Sequence, residues 1–291
     1  MHSEGKLIIC PTPLGNLGDM TQRALDALRE CDVVCCEDTR VTGKLLLALG
    51  IEAKRLERLD EALLGSHAQR IIDRVVAGEI VAYCSDAGMP GVSDPGQRLV
   101  AAAHQNNVRV EVLPGGTAVA TAYVASGFTA QSFYFGGFFP RKEGERGRLL
   151  ELLRGLDAVL IFYESPQRIV SALEAVDAAM PSRQVAVCRE LTKIHEEVLC
   201  SSPRALRDEL DARARNGLLK GEIVLVIDAP GKEEQNQAAH DARVGASCRA
   251  EELLSQGDLS KKDIARLLRS EYGLSRNEAY ELVHALCEQA T

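Results

Sequence analysis

The chain has 291 residues, enough for two or three domains with cores of their own. Its 46% apolar and 26% charged residues are the balance of a soluble globular protein, and its longest apolar runs are far too short to span a bilayer. A formal charge of −8 weighs against an extended polyanion-binding surface, and 4% aromatics with no Trp weighs against binding carried mainly by aromatic platforms.

The first half alternates apolar runs with amphipathic stripes. A strand is expected over 7–10, a helix over 21–30 capped by Asp19 or Thr21, a strand over 33–36, and a helix over 44–49 ending at Gly50. A helix over 68–77, a strand over 80–84, a helix over 97–105, a strand over 108–113 and a small-residue helix over 117–125 follow. This βα alternation implies a largely parallel sheet with helices on both faces. After a strand over 133–137, the polar stretch 138–147 reads as a domain boundary. Strands over 159–163, 185–189, 197–200 and 223–227, with helices over 149–154, 169–179 and 204–215, suggest a second, mixed sheet. Residues 229–241 have linker composition. Three short helices follow near 244–255, 260–270 and 275–288, two of them opened by a Ser followed three positions on by an acidic residue. The expected division is an α/β domain over 1–137, a second over 138–230, a linker over 231–243 and a small helical domain over 244–291.

Nine cysteines include no C-x-x-C pair and mostly sit in apolar runs, where Cys acts as a small hydrophobe. With an odd count and no secretory segment, they point to a reducing cytoplasm. The six histidines are scattered without metal-ligand spacing, so no metal is expected.

The chemistry gathers in segments that follow strands. Ser85-Asp-Ala-Gly-Met-Pro-Gly-Val-Ser-Asp-Pro-Gly96 is far richer in Gly, Pro and Asp than a simple connection needs. Pro11-Thr-Pro-Leu-Gly-Asn-Leu-Gly-Asp19 resembles a nucleotide-binding turn but lacks G-x-G-x-x-G. Glu37-Asp-Thr-Arg40, Tyr163-Glu-Ser-Pro166 with Arg168, and Arg189-Glu-Leu-Thr-Lys193 complete the set. Singly, each has a plain structural reading: a turn, a solvated ion pair, or a helix start with Ser165 as cap and Pro166 behind it. Together, five loops at strand C-termini can line one crevice, the place where open α/β sheets bind ligands.

These motifs, with Pro114-Gly115, Phe162-Tyr-Glu-Ser-Pro166 and Gly221-Glu-Ile-Val-Leu225, resemble in order the ribosomal RNA small subunit methyltransferase I family of the tetrapyrrole-methylase-like superfamily. The resemblance covers about residues 5–228, and the tail resembles the helix-turn-helix-like extension of many members. It implies a class III methyltransferase fold: two α/β domains with S-adenosylmethionine in the cleft between them, as a homodimer. It implies 2′-O-methylation of a cytidine in the decoding region of 16S ribosomal RNA; the acidic charge balance fits recognition of that RNA within the small subunit. The cofactor would meet Leu14 and Gly15, Asp86 and Ala87, Gly115, Gly116, Thr117 and Ala118, and from the second domain Tyr163, Glu190 and Leu191. The chain departs from the family pattern at Gly116-Thr117 and at Leu59-Asp-Glu-Ala62, where many members carry a His-rich segment.

Methyl transfer to a ribose hydroxyl rests mainly on positioning, aided by a base for the hydroxyl proton. Glu37, Arg40, Glu164 and Lys193 are the candidate catalytic residues. Glu37, Arg40 and Arg168 are assigned to RNA positioning and Asp86 to the cofactor pocket, while the choice of base among Glu37, Asp38, Asp86, Asp94, Glu164 and Lys193 stays open. Asp94, before Pro95, is expected to cap the next helix. Arg141, Lys142, Arg146 and Arg148 form a modest basic patch at the domain junction, whereas the tail from His240 sets seven basic residues against nine acidic ones. The tail therefore reads as a docking or RNA-shape accessory, not an autonomous duplex reader. Two rivals remain: a methylase acting on small tetrapyrroles, and a ligand-sensing regulator with a helix-turn-helix tail.

Overall fold

Five short strands form a parallel sheet: β1 (Lys6–Ile9), β2 (Val33–Cys36), β3 (Arg55–Arg58), β4 (Ile80–Cys84) and β5 (Val110–Val112), side by side as β3-β2-β4-β1-β5. The computed structural model describes residues 5–52, 54–256 and 258–289. The central strands are apolar throughout because both sheet faces are covered; all four residues of β2 are buried. One face packs Leu7, Ile9, Cys35 and Tyr83 against Ile71, Ile72 and Leu99 of α3 (Glu61–Val76) and α4 (Gly96–Gln105). The other packs Ile8, Cys10, Cys36 and Cys84 against Leu28 and Leu46 of α1 (Gln22–Glu30) and α2 (Thr39–Ala48). The hydroxyl of Thr21 caps α1 by accepting from the N–H of Ala24 at 3.2 Å.

The second sheet runs β6-β7-β10-β8-β9, from β6 (Phe133–Phe138), β7 (Val159–Glu164), β8 (Val185–Arg189), β9 (Glu197–Ser201) and β10 (Ile223–Ile227). Only β6 and β7 pair in parallel; every other pairing is antiparallel, giving the mixed sheet. Around it lie α5 (Ala118–Ser126), α6 (Glu143–Leu153), α7 (Ile169–Ala179) and α8 (Pro203–Arg215). The architecture is α/β in both sheets, as expected.

Several elements differ from the sequence reading. β3, Arg-Leu-Glu-Arg, is a charged edge strand whose one ladder partner among the described residues is β2, so no apolar alternation announces it. α2 starts at Thr39, because Asp38 accepts from the N–H of Arg40 and caps it. α3 starts at Glu61, capped by Asp60. Val119 and Ala122 of α5 pack with the second sheet, which β6 enters at Phe133, so the chain leaves the first sheet ahead of the expected 137–138 division. The stretch read as a polar break is helical from Glu143. Ser165 is not a side-chain cap: its carbonyl accepts from the N–H groups of Arg168 and Ile169, and α7 begins after that turn.

Both sheets belong to one compact unit, which takes in the chain to Glu151 and Ala158–Ala229. The second unit holds Leu152–Asp157 and the chain from Pro230 on. In it α9 (Lys232–Gln256) runs through the stretch read as a linker, a polar but helix-compatible sequence without internal Pro. With α10 (Lys261–Tyr272) and α11 (Arg276–Gln289) it encloses Ala246, Ala250, Ile264, Leu268 and Val283. Both expected Ser caps form: Ser260 accepts from the N–H of Asp263, and Ser275 and Glu278 exchange reciprocal side chain–backbone bonds.

Candidate active site

The C-terminal ends of β1, β2, β4 and β5 face the ends of β6 and β7 and the start of β10 across a cleft of about 260 Å³. Its floor is made of small and apolar residues, among them Leu14, Ala87, Gly88, Thr117 and Ala118. Tyr163 and Phe138 close the opposite side. The charged residues lining it are all acidic: Glu37, Asp94, Glu164 and Glu222.

Close packing of loops shapes the floor. Thr12 and Gly88 exchange two backbone hydrogen bonds, at 2.9 and 3.1 Å, tying the loop after β1 to the loop after β4. Gly88 has φ +81°, and a Cβ there would stand 2.9 Å from Leu14 Cδ2. Gly115 rests on the Pro11 ring, while Gly116 lies beside Leu14. Thr117 caps α5, its hydroxyl accepting from the N–H of Ala120 at 3.1 Å. Asp94 does not sit at the cap position itself, which is Pro95; its Oδ1 accepts from the N–H groups of Gly91, 2.7 Å, and Gly96, 2.9 Å, and so closes the loop on itself.

Glu37 and Asp86 couple the loops after β2 and β4. The N–H of Asp86 donates to Glu37 Oε1 at 3.1 Å, and the N–H of Asp38 donates to Asp86 Oδ1 at 3.2 Å. Burial raises the Glu37 carboxyl above its ordinary value, and the charges of Asp94 and Asp86 push the same way. Asp86 is likewise raised, by burial and by the Asp38 charge. Asp38 is held well below the usual carboxylate range by the Arg40 guanidinium, 2.5 Å away, whose side chain is 85% exposed. Asp86 and Arg40 do not line the cleft; the neighbours Ala87 and Glu37 do.

Glu164 lines the cleft at residue level, yet its side chain is wholly buried. Its Oε1 takes the Arg168 guanidinium at 2.5 Å and the N–H of Ser165 at 2.7 Å, while Oε2 has no hydrogen-bond partner among the described residues. Burial raises its carboxyl despite Arg168. Arg168, expected to position RNA, also donates to Ser165 Oγ at 3.3 Å and to the carbonyl of Phe139 at 3.4 Å.

The loop after β8 stands beside the cleft. Lys193 Nζ reaches Glu190 at 2.8 Å and Glu222 at 3.1 Å, and Glu190 also accepts from the N–H of Glu222 at 2.9 Å. Burial would lower the Lys193 amine, but the two carboxylates hold it above its ordinary value, so it stays charged. Gly15 lies against the Lys193 stem, and the N–H of Asn16 donates to Thr192 Oγ1 at 3.2 Å, joining this loop to the one after β1. Leu191 is buried in the core of the second sheet and does not line the cleft. Of the expected residues, Leu14, Glu37, Ala87, Thr117, Ala118, Tyr163 and Glu164 line the cleft. Gly15, Arg40, Asp86, Gly115, Gly116, Glu190, Leu191 and Lys193 stand behind or beside it. Sequence reasoning missed Phe138 and Glu222 as lining residues; the paired glycines before Phe138 and Gly221 before Glu222 were the available signals.

Among the described residues no group of His, Cys, Asp and Glu could hold a metal ion, and no helix is long and apolar enough to cross a membrane.

The tetrapyrrole (corrin/porphyrin) methylase family model matches residues 6–205. The chain is 36% identical over 281 residues to ribosomal RNA small subunit methyltransferase I of Halalkalibacterium halodurans, covering 97% of this chain and 95% of that one. It is 40% identical to the protein of the same name from Micromonospora olivasterospora, covering 98% and 88%. Among solved structures, uroporphyrin-III C-methyl transferase from Thermus thermophilus complexed with S-adenyl homocysteine matches with a TM-score of 0.52 and 16% identity, over 77% of this chain and 97% of that one, a likeness of fold. The chain belongs to the tetrapyrrole methylase family and, within it, to the ribosomal RNA small subunit methyltransferase I family.

Proposed function

We propose that this chain methylates the 2′-hydroxyl of a cytidine in the decoding region of 16S ribosomal RNA, within the small subunit, with S-adenosylmethionine as methyl donor. The observation that carries the reading is the acidic cleft, formed by loops at strand ends and lined, among the described residues, by no Lys or Arg. Its donor set suits a ligand with ammonium and sulfonium charges, and it repels phosphate. Leu14, Ala87, Thr117, Ala118 and Tyr163 would hold the cofactor, with Asp86 and Gly115 keeping their loops in place. When bound, S-adenosylmethionine supplies a methyl group already activated on a sulfonium.

The protein's own part is positioning and proton acceptance. Glu37 faces the cleft, and its raised carboxyl suits it to take the hydroxyl proton. Lys193, kept protonated by two carboxylates, is not a base; it braces Glu190 and Glu222. Glu164 holds Arg168, and through it the end of β6. Arg40, exposed and paired with Asp38 beside the cleft loops, would meet a phosphate of the RNA. The net-acidic chain fits a substrate presented on an assembled subunit better than long bare RNA. The exposed Ala120, Val124 and Ala125 on the apolar helix α5 support a homodimer, and the cysteine usage supports a cytoplasmic setting.

The test is to incubate labelled S-adenosylmethionine with unmodified small ribosomal subunits and digest the RNA to nucleosides. Label on a 2′-O-methylcytidine supports the reading; label only in a porphyrinoid, or none in RNA, rejects it.

A further inference from the structure

The chain has six Phe and six Tyr, yet seven of them lie between residues 133 and 163. Most are packed among themselves: Phe139 lies 4.8 Å from the Phe162 ring, and Phe135 4.9 Å from that of Tyr163. Phe138 is different. It is 61% exposed, it lines the cleft, and its ring stands edge-on to Tyr163 at 5.5 Å and 71°.

The backbone turns it outward. The β6–β7 register shifts between Phe135 and Phe138, and Gly137 within the shift has φ +70°. The next residue, Phe139, is buried, and its carbonyl accepts from Arg168. Arg146, expected as part of a basic patch, is buried instead: its guanidinium lies 5.7 Å over the Phe139 ring and donates to the carbonyl of Pro140 at 2.7 Å. Two arginines thus tie down the segment behind Phe138, whose ring lines the cleft. Arg141, three residues on, is exposed.

An exposed aromatic ring lining a phosphate-repelling cleft, with an exposed cation three residues along the chain, offers what one splayed-out nucleotide needs: a ring for the base and a cation for the phosphate. We propose that Phe138 is the platform on which the nucleobase of the RNA substrate stacks, with Arg141 meeting the adjoining phosphate. The inference rests on the RNA-methylating reading above and names the residue that presents the nucleotide to the cleft.

The experiment compares wild type, Phe138→Leu and Phe138→Tyr for methyl transfer to unmodified small subunits, with cofactor affinity measured by calorimetry and folding by thermal unfolding. Phe138→Leu is expected to lose roughly tenfold or more in kcat/KM for the subunit, mostly through KM, in keeping with the stacking worth of one base. Its cofactor affinity should stay within about twofold, a change too small to register as a lost contact. Phe138→Tyr, which keeps a ring, should recover most of the loss. Wild type that labels RNA beside a Phe138→Leu that labels it equally well overturns the stacking alone. A Phe138→Leu loss matched by an equal loss of cofactor affinity also overturns it, since the ring then serves the cofactor. Wild type that labels no RNA overturns the functional reading, and this inference with it.

Discussion

Glu37 accepts a hydrogen bond at 3.1 Å from the backbone N–H of Asp86, so a cleft carboxylate on the β2 loop is held in place by the main chain of the β4 loop. The reverse tie, from the N–H of Asp38 to Asp86 Oδ1, makes the two loops one unit. Both carboxyls are raised, chiefly by burial.

If Glu37 takes the hydroxyl proton, Glu37→Gln keeps the shape and an acceptor oxygen for the Asp86 N–H but loses the base. The methyl-transfer rate should fall by about 10²-fold or more, well beyond the loss of cofactor affinity that follows from removing one of the cleft's four acidic side chains. Single-turnover transfer to small subunits alongside calorimetry with S-adenosylmethionine checks this; an unchanged rate rejects Glu37 as the acceptor.

The pH dependence has a definite sign. A base must be ionised, and the carboxyl of Glu37 ionises above the ordinary Glu value of about 4.3, so kcat/KM should rise with pH along a limb displaced above that value. Asp86→Asn keeps the backbone donor and removes one repelling charge, which eases ionisation of Glu37. Its acid limb should therefore move to lower pH than in wild type. A limb that stays in place would show that another group sets it.

Gly88→Ala should cost stability and cofactor affinity together. Its Cβ would need φ near +81° and would press on Leu14 in the cleft floor. A cost on the order of 1–3 kcal/mol is expected. Gly50, with φ +64° and open space around it, is the control: Gly50→Ala should cost only about 1 kcal/mol and leave the cleft untouched. Denaturant unfolding and calorimetry on both variants separate backbone strain from the clash.

Arg168→Met strands the buried carboxylate of Glu164, whereas Glu164→Gln leaves a neutral amide beside an arginine that still reaches solvent. The first variant should therefore be the more destabilised, by on the order of 2 kcal/mol, below the range for a fully buried pair because Arg168 is 24% exposed. Equal denaturation midpoints would show that the pair contributes little.

The fold was legible wherever burial acts on both faces of an element. Val33-Val34-Cys35-Cys36 and Ile80-Val81-Ala82-Tyr83-Cys84 can only be covered strands, and the βα rhythm they set implies the parallel sheet. β3 was not legible, because an edge strand of Arg, Leu and Glu is stabilised by its ladder to β2 and not by an apolar stripe. The helical starts at Thr39, Glu61, Glu143 and Lys232 were also hidden, since polar first turns are held by caps and neighbours and carry no periodic signal.

The candidate site shows the same division. Local sequence alone determined which loops gather at and beside the cleft, because Gly, Pro and paired charges after a strand are demands of the backbone at that point. It also determined the family, through motifs kept in order along the chain. Only the tertiary structure decided which members of those loops face the cleft. Leu191 turns into the core, Lys193 is held charged between Glu190 and Glu222, Glu164 is buried behind Arg168, and Phe138 is turned outward by a bulge. Several of these placements depend on partners far along the chain, Glu222 standing 32 positions from Glu190 and 29 from Lys193, as Asp86 stands 49 from Glu37, and no local pattern encodes such partners.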